Sequence, residues 1–405
     1  MTELLTDAGL SKDFATFLTH LITAGAVATV FLLVPIFTIW LERKVSARMQ
    51  DRLGPNRVGP YGLLQTIADV LKLMTKEAIT PANADKVVFF IAPILMVMSV
   101  VLIVAVIPYG ENFAPTDLSI GVLYVIAISS LGTIAILMAG WGSNNKYALL
   151  GAFRVMAQLV SYEVPMVLAL LVPVMLAGTM RMNGIIEAQD SIWFIFVVPV
   201  SALIFFVSAT AEVGRQPFDL LEAESEIVAG FNIEYGGMQF AMLYLGEWLH
   251  AVLICVITAI LFLGGWDGPG AKDALLTLPI IDLELPVLGI FYLAAKSFLI
   301  YFLHMWVRFT VPRLRIDHLM GFNWKFLVPV GVFNLLVVAF AWKIMPEPDS
   351  SSLGDELPRA LVVLASNVLF VMLIFFVIRD YARRERAKVE ALVDETVYAA
   401  ASAGD

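Results

Sequence analysis

Nine stretches of about 20 residues are almost wholly apolar, and short polar segments separate them. They cover residues 21–41, 87–107, 118–141, 155–177, 192–211, 243–263, 289–307, 326–345 and 358–378. As a helix, each is long enough to cross a hydrocarbon layer of about 30 Å. The pattern predicts an all-α polytopic membrane protein: one helical domain over residues 1–378, followed by a charged tail over 379–405. Pro and Gly inside several runs are compatible with spanning helices, because neighbouring helices can satisfy the freed backbone groups.

The connector over residues 42–86 breaks the pattern. Residues 54–62 (GPNRVGPYG) are rich in Gly and Pro and predict a sharp turn. After them Leu63, Leu64, Ile67, Ala68, Leu71 and Met74 recur at helical spacing, with Asp69, Lys72 and Lys76 on the other face. This predicts an amphipathic helix lying at the membrane surface.

Basic residues give the expected orientation. Of the 26 Lys and Arg, 20 fall in the connectors over 42–86, 144–154 and 308–325, the Arg215 loop and the tail. By the positive-inside rule that side is cytoplasmic. Nine spans then put the N-terminus outside and the C-terminus in the cytoplasm. The N-terminus is acidic and polar up to Asp13, so a cleavable leader is not expected and the first span serves as its own insertion signal.

Composition narrows the chemistry. The 405 residues are 60% hydrophobic and 15% charged, against about 25% charged in soluble domains. That leaves no room for a separate soluble domain. The net charge of −9 argues against nucleic-acid binding. A single cysteine, Cys255, excludes an internal disulfide and a thiolate-held iron–sulfur cluster. The four histidines (His20, His250, His304, His318) are too scattered for metal-ligand spacing, and no dinucleotide or phosphate loop is present. Redox cofactors, if the chain serves a redox enzyme, belong to other subunits.

The polar residues that remain are concentrated. Residues 211–247 carry Glu212, Asp219, Glu222, Glu224, Glu226, Glu234 and Glu247 against one base, Arg215. Carboxylates at a membrane boundary are costly to desolvate and suit proton exchange. Asp219, Glu222 and Glu226, spaced i, i+3, i+7, would form one acidic stripe on a helix. Apolar neighbours such as Phe218 and Phe231 predict that the segment packs against something. Glu163, Lys296 and His304 fall within apolar runs, and with the acidic loop they suggest a hydrated polar route. Arg308, Arg313 and Arg315 follow the seventh run. A passive anchor and a stand-alone transporter also fit parts of this pattern, although no internal repeat supports the transporter.

Four long motifs carry a resemblance: LERKVSARMQDRLGPNRVGPYGLLQTIADVLKL from Leu41, YALLGAFRVMAQLVSYEVPM from Tyr147, AEVGRQPFDLLEAESEIVAGFNIEYGGMQFAMLYLGEW from Ala211, and WVRFTVPRLRIDHLM from Trp306. Over residues 34–342 the chain resembles the H-type membrane subunit of proton-pumping NADH:quinone oxidoreductase, respiratory complex I. The resemblance implies a quinone tunnel where the membrane arm meets the hydrophilic arm. It also implies an acidic path coupling quinone reduction to proton translocation in a bacterial cell membrane. The flavin (FMN) and iron–sulfur clusters would lie in partner subunits, and this chain would bind none itself. By matched motif, Glu42, Arg43, Arg215, Phe218, Asp219, Arg308, Arg313, Arg315 and Asp317 would border the tunnel. Glu163, Glu212, Glu222, Glu224, Glu226, Glu234 and Glu247 would form the proton path. The ninth apolar run exceeds the family's eight-span core. The equivalent subunit of a hydrogenase-type ion-pumping complex is the alternative of the same lineage; the RQPFD-to-FNIEY stretch and the GPNRVGPYG loop favour the quinone enzyme.

Overall fold

A computed structural model describes residues 11–111, 113–220, 230–271, 276–278, 283–345 and 353–402. Among them, eight helices are long and apolar enough to span a bilayer. They are α1 (Lys12–Met49), α3 (Lys86–Val104), α4 (Gly121–Gly142), α5 (Lys146–Ala177), α9 (Gly237–Phe262), α10 (Val287–Thr310), a segment built from α11 (Ile316–Phe322) and α12 (Val328–Ile344), and α13 (Leu353–Ser402). A π-type turn, Asn323–Leu327, joins α11 to α12. The charged tail continues α13 as far as Ser402.

The fifth apolar run differs from a single span. It forms two pieces, α7 (Phe194–Val197) and α8 (Pro199–Glu212), after the short α6 (Met182–Glu187). Pro199 lacks an amide hydrogen and restricts the residue before it, so the helix restarts there. Val198 between them has φ −128° and is fully buried. A broken backbone is tolerated at membrane depth where protein covers it. Here α12 and α13 pack against α8, with Asn334 donating to Ser201 Oγ at 2.7 Å.

Helices α3, α4 and α5 form successive antiparallel neighbours, α8 lies on α5, and α9 packs on both α3 and α10. Fully buried Phe89, Tyr162, Phe205, Phe262 and Trp266 anchor this bundle. Helix α9 is mostly buried, whereas Phe340 on α12 and Leu369 and Phe375 on α13 point outward. Outward apolar rows suit a lipid surround. The ends meet in register. On the basic side, Asp85 N–H donates to Gly142 O at 3.0 Å. At the opposite end Val122 N–H reaches Met180 O at 3.1 Å, and Arg181 pairs with Asp117. A small antiparallel pair there, Leu276–Leu278 and Leu283–Leu285, pairs Leu276 with Leu285.

The predicted surface helix is present as α2 (Gln65–Thr75). Its polar side faces the protein, where Thr66 is buried and Asp69 accepts from Arg43 at 2.6 Å. Leu63, Leu71 and Met74 remain exposed on the outside. That arrangement turns the apolar stripe away from the bundle, as a helix seated on a lipid surface requires.

Candidate functional site

Near the basic end of α1, Glu42 is only 3% exposed. Its Oε2 accepts from Arg215 Nη1 at 2.7 Å and from the Tyr301 hydroxyl at 2.8 Å. Its Oε1 accepts from Arg308. One carboxylate therefore gathers donors from α10 and from the loop after α8. The Arg215 guanidinium lies 4.4 Å from the Trp248 ring centroid on α9, a cation–π contact. Burial disfavours its charge, but the Glu42 carboxylate more than offsets this and holds Arg215 above the ordinary arginine range. Tyr301 and Arg308 are two helical turns apart, so they share one face of α10. His304 lies between them. The Thr210 hydroxyl donates to Phe206 O at 2.7 Å, so it is free to accept from His304 Nδ1 at 3.1 Å.

The segment after α8 is clamped from two sides. Gln158 on α5 is fully buried, and its Nε2 donates to Ala211 O (2.7 Å) and Phe218 O (2.8 Å). Arg154, one helical turn earlier, donates to Leu220 O at 3.1 Å. Leu314 N–H donates to Pro217 O at 2.9 Å. The Phe218 ring lies 5.3 Å from that of Tyr162, whose hydroxyl donates to Leu319 O at 3.0 Å. Asp219 is half-buried in this turn and is not helical. Glu222, Glu224 and Glu226 lie outside the described residues.

Beyond the clamp, Glu212 closes α8 at 5% exposure, and its Oε2 has no hydrogen-bond partner among the described residues. It borders a small cavity with Glu247 and His250 of α9 and Gly132 and Thr133 of α4. Half-buried Glu163 on α5 is near enough for its charge to repel that of Glu212. Glu234 stands apart and accepts from Asn145 Nδ2 at 2.6 Å. Asn145 also caps α5 through Tyr147 N–H, so Glu234 fixes the start of that helix. Next to it, Tyr235 stacks on Phe89 at 4.1 Å and donates to Phe89 O. Among the described residues no three His, Cys, Asp or Glu side chains converge to hold a metal ion.

The family model described as NADH dehydrogenase matches residues 22–339 of this chain. The chain belongs to the H-type membrane-subunit family of NADH-quinone oxidoreductases. The H-type NADH-quinone oxidoreductase subunit of Dehalococcoides mccartyi (strain CBDB1) is 47% identical over 338 residues, 83% of this chain and 91% of its own length. Its counterpart from Carboxydothermus hydrogenoformans is 44% identical, covering 80% of this chain and 89% of the relative. That of Geobacillus sp. (strain WCH70) is 45% identical, covering 75% and 88%. Members are thus subunits of a larger oxidoreductase. The family match contains every residue of the Glu42 cluster and the Glu212 cavity, and it stops before α13.

Within this H-type fold the motif residues separate into three groups. Glu42, Arg215 and Arg308 meet directly. Phe218 and Asp219 occupy the clamped turn, and Glu163, Glu212 and Glu247 surround or approach the cavity. Arg43 points outward to Asp69, Arg313 is half-buried, and Arg315 pairs with Asp317 at 3.3 Å on an exposed surface. Tyr301 and His250 lie outside the four motifs, and Arg154 and Gln158, inside the motif from Tyr147, were not singled out by it. Tyr301 alone was open to inference, from its two-turn spacing to Arg308.

The Arg43–Asp69 pair is open to solvent, so it contributes far less than the buried Glu42 cluster. Burial raises the Asp69 carboxyl, but the Arg43 hydrogen bond and charge prevail and hold it below the usual range. A depressed acid stabilises above its ordinary pKa and loses that contribution as pH falls through its folded value. Asp69→Asn is therefore expected to cost no more than about 1 kcal/mol at neutral pH, and to add no destabilisation once both proteins are acidified below the aspartate range. Thermal scans of the complex at the two pH values check this.

Proposed function

We propose that this chain lines the path by which a quinone reaches the redox arm of the complex, and that its buried carboxylates move protons when the quinone is reduced. The names of the relatives specify a quinone as acceptor. The Glu42, Arg215 and Arg308 cluster, with Phe218 and Asp219, forms the polar inner wall of that path. Arg43, Arg313, Arg315 and Asp317 border its mouth. The basic side faces the cytoplasm of a bacterial cell, the N-terminus is outside, and FMN and iron–sulfur partner subunits dock on the basic side.

One observation carries the coupling half of this reading. Glu212 is a buried carboxyl with an unpartnered oxygen, three residues from an arginine clamped on Glu42. A unit charge arising ~10 Å away acts on such a group by about 1.7 kcal/mol at an effective dielectric of 20, more than one pKa unit. Charge appearing on a reduced quinone near the cluster would therefore change the proton affinity of Glu212. From there Glu163, Glu247, Glu234 and the acidic segment with Glu222, Glu224 and Glu226 extend the path.

Glu212→Gln tests it, because Gln keeps the shape and cannot ionise. In sealed membrane vesicles, inhibitor-sensitive NADH:quinone turnover and proton pumping are expected to fall together by at least about 100-fold, the scale of a lost proton-transfer group. NADH oxidation by ferricyanide, which needs no membrane step, should hold. Normal pumping in the assembled variant would refute the coupling role.

A further inference from the structure

We infer that the cavity beside Glu212 is a binding site for one water molecule, and that His250 is the positioning residue that holds this water against Glu212 and Glu247. The inference rests on the reading of Glu212 as a proton-carrying group and gives that site its missing ligand. The cavity lies where α3, α4, α5, α8 and α9 converge, and its free volume of about 10 Å³ matches a single water. A bound water needs two to four polar partners. The lining supplies Glu212, Glu247, His250 and Thr133. The remaining wall is apolar and includes Met96, Ile136 and Leu159.

Two independent features point to the same occupant. First, Glu212 is 95% buried, and its Oε2 has no partner among the described residues. A buried polar atom left unpaired costs about 1–3 kcal/mol, which a water in the adjoining cavity removes. Second, His250 follows Glu247 by three residues on α9, so both side chains reach the cavity from one helix face. Among the described residues His250 has no hydrogen-bond partner in the protein. An imidazole has both a donor and an acceptor, so it can orient a water whichever proton the carboxyls hold. The charged groups about this site are Glu212, Glu247 and Glu163, with Arg215 just beyond Glu212 in the chain. In the transfer itself, the Glu212 O–H bond breaks and its proton joins the water. The water gives one of its own protons to the Glu247 carboxylate, so no charge is left on the water.

Three substitutions in the assembled complex separate the outcomes. His250→Leu removes the polar anchor, and NADH-driven proton pumping is expected to fall about tenfold. His250→Asn restores a donor and an acceptor and should keep pumping within about twofold of the parent, since the lost contact is remade. Gly132→Ala fills the cavity from the opposite wall. Its added carbon would make ordinary contacts, 3.5 Å to Ser99 Oγ and 3.8 Å to Met96 Sδ, so the fold should be retained while pumping falls like that of His250→Leu. Parent-level pumping in His250→Leu or Gly132→Ala overturns the inference, as does an equal loss in His250→Asn and His250→Leu. If Glu212→Gln pumps normally, the underlying reading fails. If Glu212→Gln is inactive while His250→Leu is normal, only the water site fails.

Discussion

Glu42→Ala is expected to abolish quinone turnover and to destabilise the bundle by about 3–5 kcal/mol, the cost of breaking a buried ion pair. The reason is what the substitution leaves behind. Arg215 is 8% exposed, and its charge is tolerated in the interior because Glu42 neutralises it. Without that carboxylate, its charge is left facing the Trp248 and Tyr301 rings, at 4.4 and 5.7 Å, and a desolvated cation–π contact is worth about 2 kcal/mol. Tyr301 loses its acceptor at the same time. Arg308 is more exposed and can turn toward water, so it contributes less to the penalty. The double variant Glu42→Met, Arg215→Met separates stability from function. Apolar replacement of both partners is often neutral or stabilising. The double variant should therefore assemble and melt near the parent complex yet remain without quinone turnover. Thermal denaturation, the yield of assembled complex and NADH:quinone assays measure the three quantities. A single variant that melts like the parent would contradict the account of the cluster.

Gly62→Ala is expected to have the second largest effect, about 2–5 kcal/mol from left-handed backbone strain and overpacking. Gly62 has φ +78°, and a Cβ there would lie 2.3 Å from both the carbonyl carbon and the oxygen of Pro55. Those are backbone atoms inside the turn over 54–62, so no side-chain rotation relieves the contact. Gly59 makes the comparison. Its φ is +72°, but the nearest atoms to an added Cβ belong to the Leu64 side chain, from 2.6 Å. Leu64 is exposed and can move, so Gly59→Ala should cost less. The turn matters because Trp40 Nε1 donates to Tyr61 O at 3.2 Å, tying the connector to α1 two residues before Glu42. Limited proteolysis of the connector, with thermal scans, reads the difference. Equal behaviour of the two variants would sink this explanation.

The spanning helices were legible because lipid imposes a simple demand: a long apolar run with every backbone group paired internally. The break at Val198 was not legible, since Pro199 inside an apolar run fits either a kink or a restart. The matched motifs singled out Glu42, Arg215 and Arg308 as site residues. Their meeting could not be read, because the partners are 173 and 266 residues from Glu42 along the chain. Glu42 and Arg43 read as one adjacent pair, yet successive helical residues point about 100° apart, and one turns inward while the other meets Asp69. The amphipathic pattern of α2 gave its helix correctly but not which side faces the protein. Gln158 looked like any polar residue in a span; only the folded chain reveals that it holds the Ala211 carbonyl at the end of α8 and the Phe218 carbonyl in the loop after it. The predicted stripe of Asp219, Glu222 and Glu226 begins in a non-helical turn at Asp219, and its other members lie outside the described residues.

Helix α13 lies beyond residues 22–339, the stretch that the family model matches, and packs along α7, α8 and α12, with the Arg359 guanidinium 3.5 Å from the Trp342 ring centroid. Its fully buried Val363 and Asn367 fit it closely to that flank. The flank is consequently sealed from within the same polypeptide. Whatever approaches from there, lipid or protein, meets α13 first and the interrupted helix only behind it.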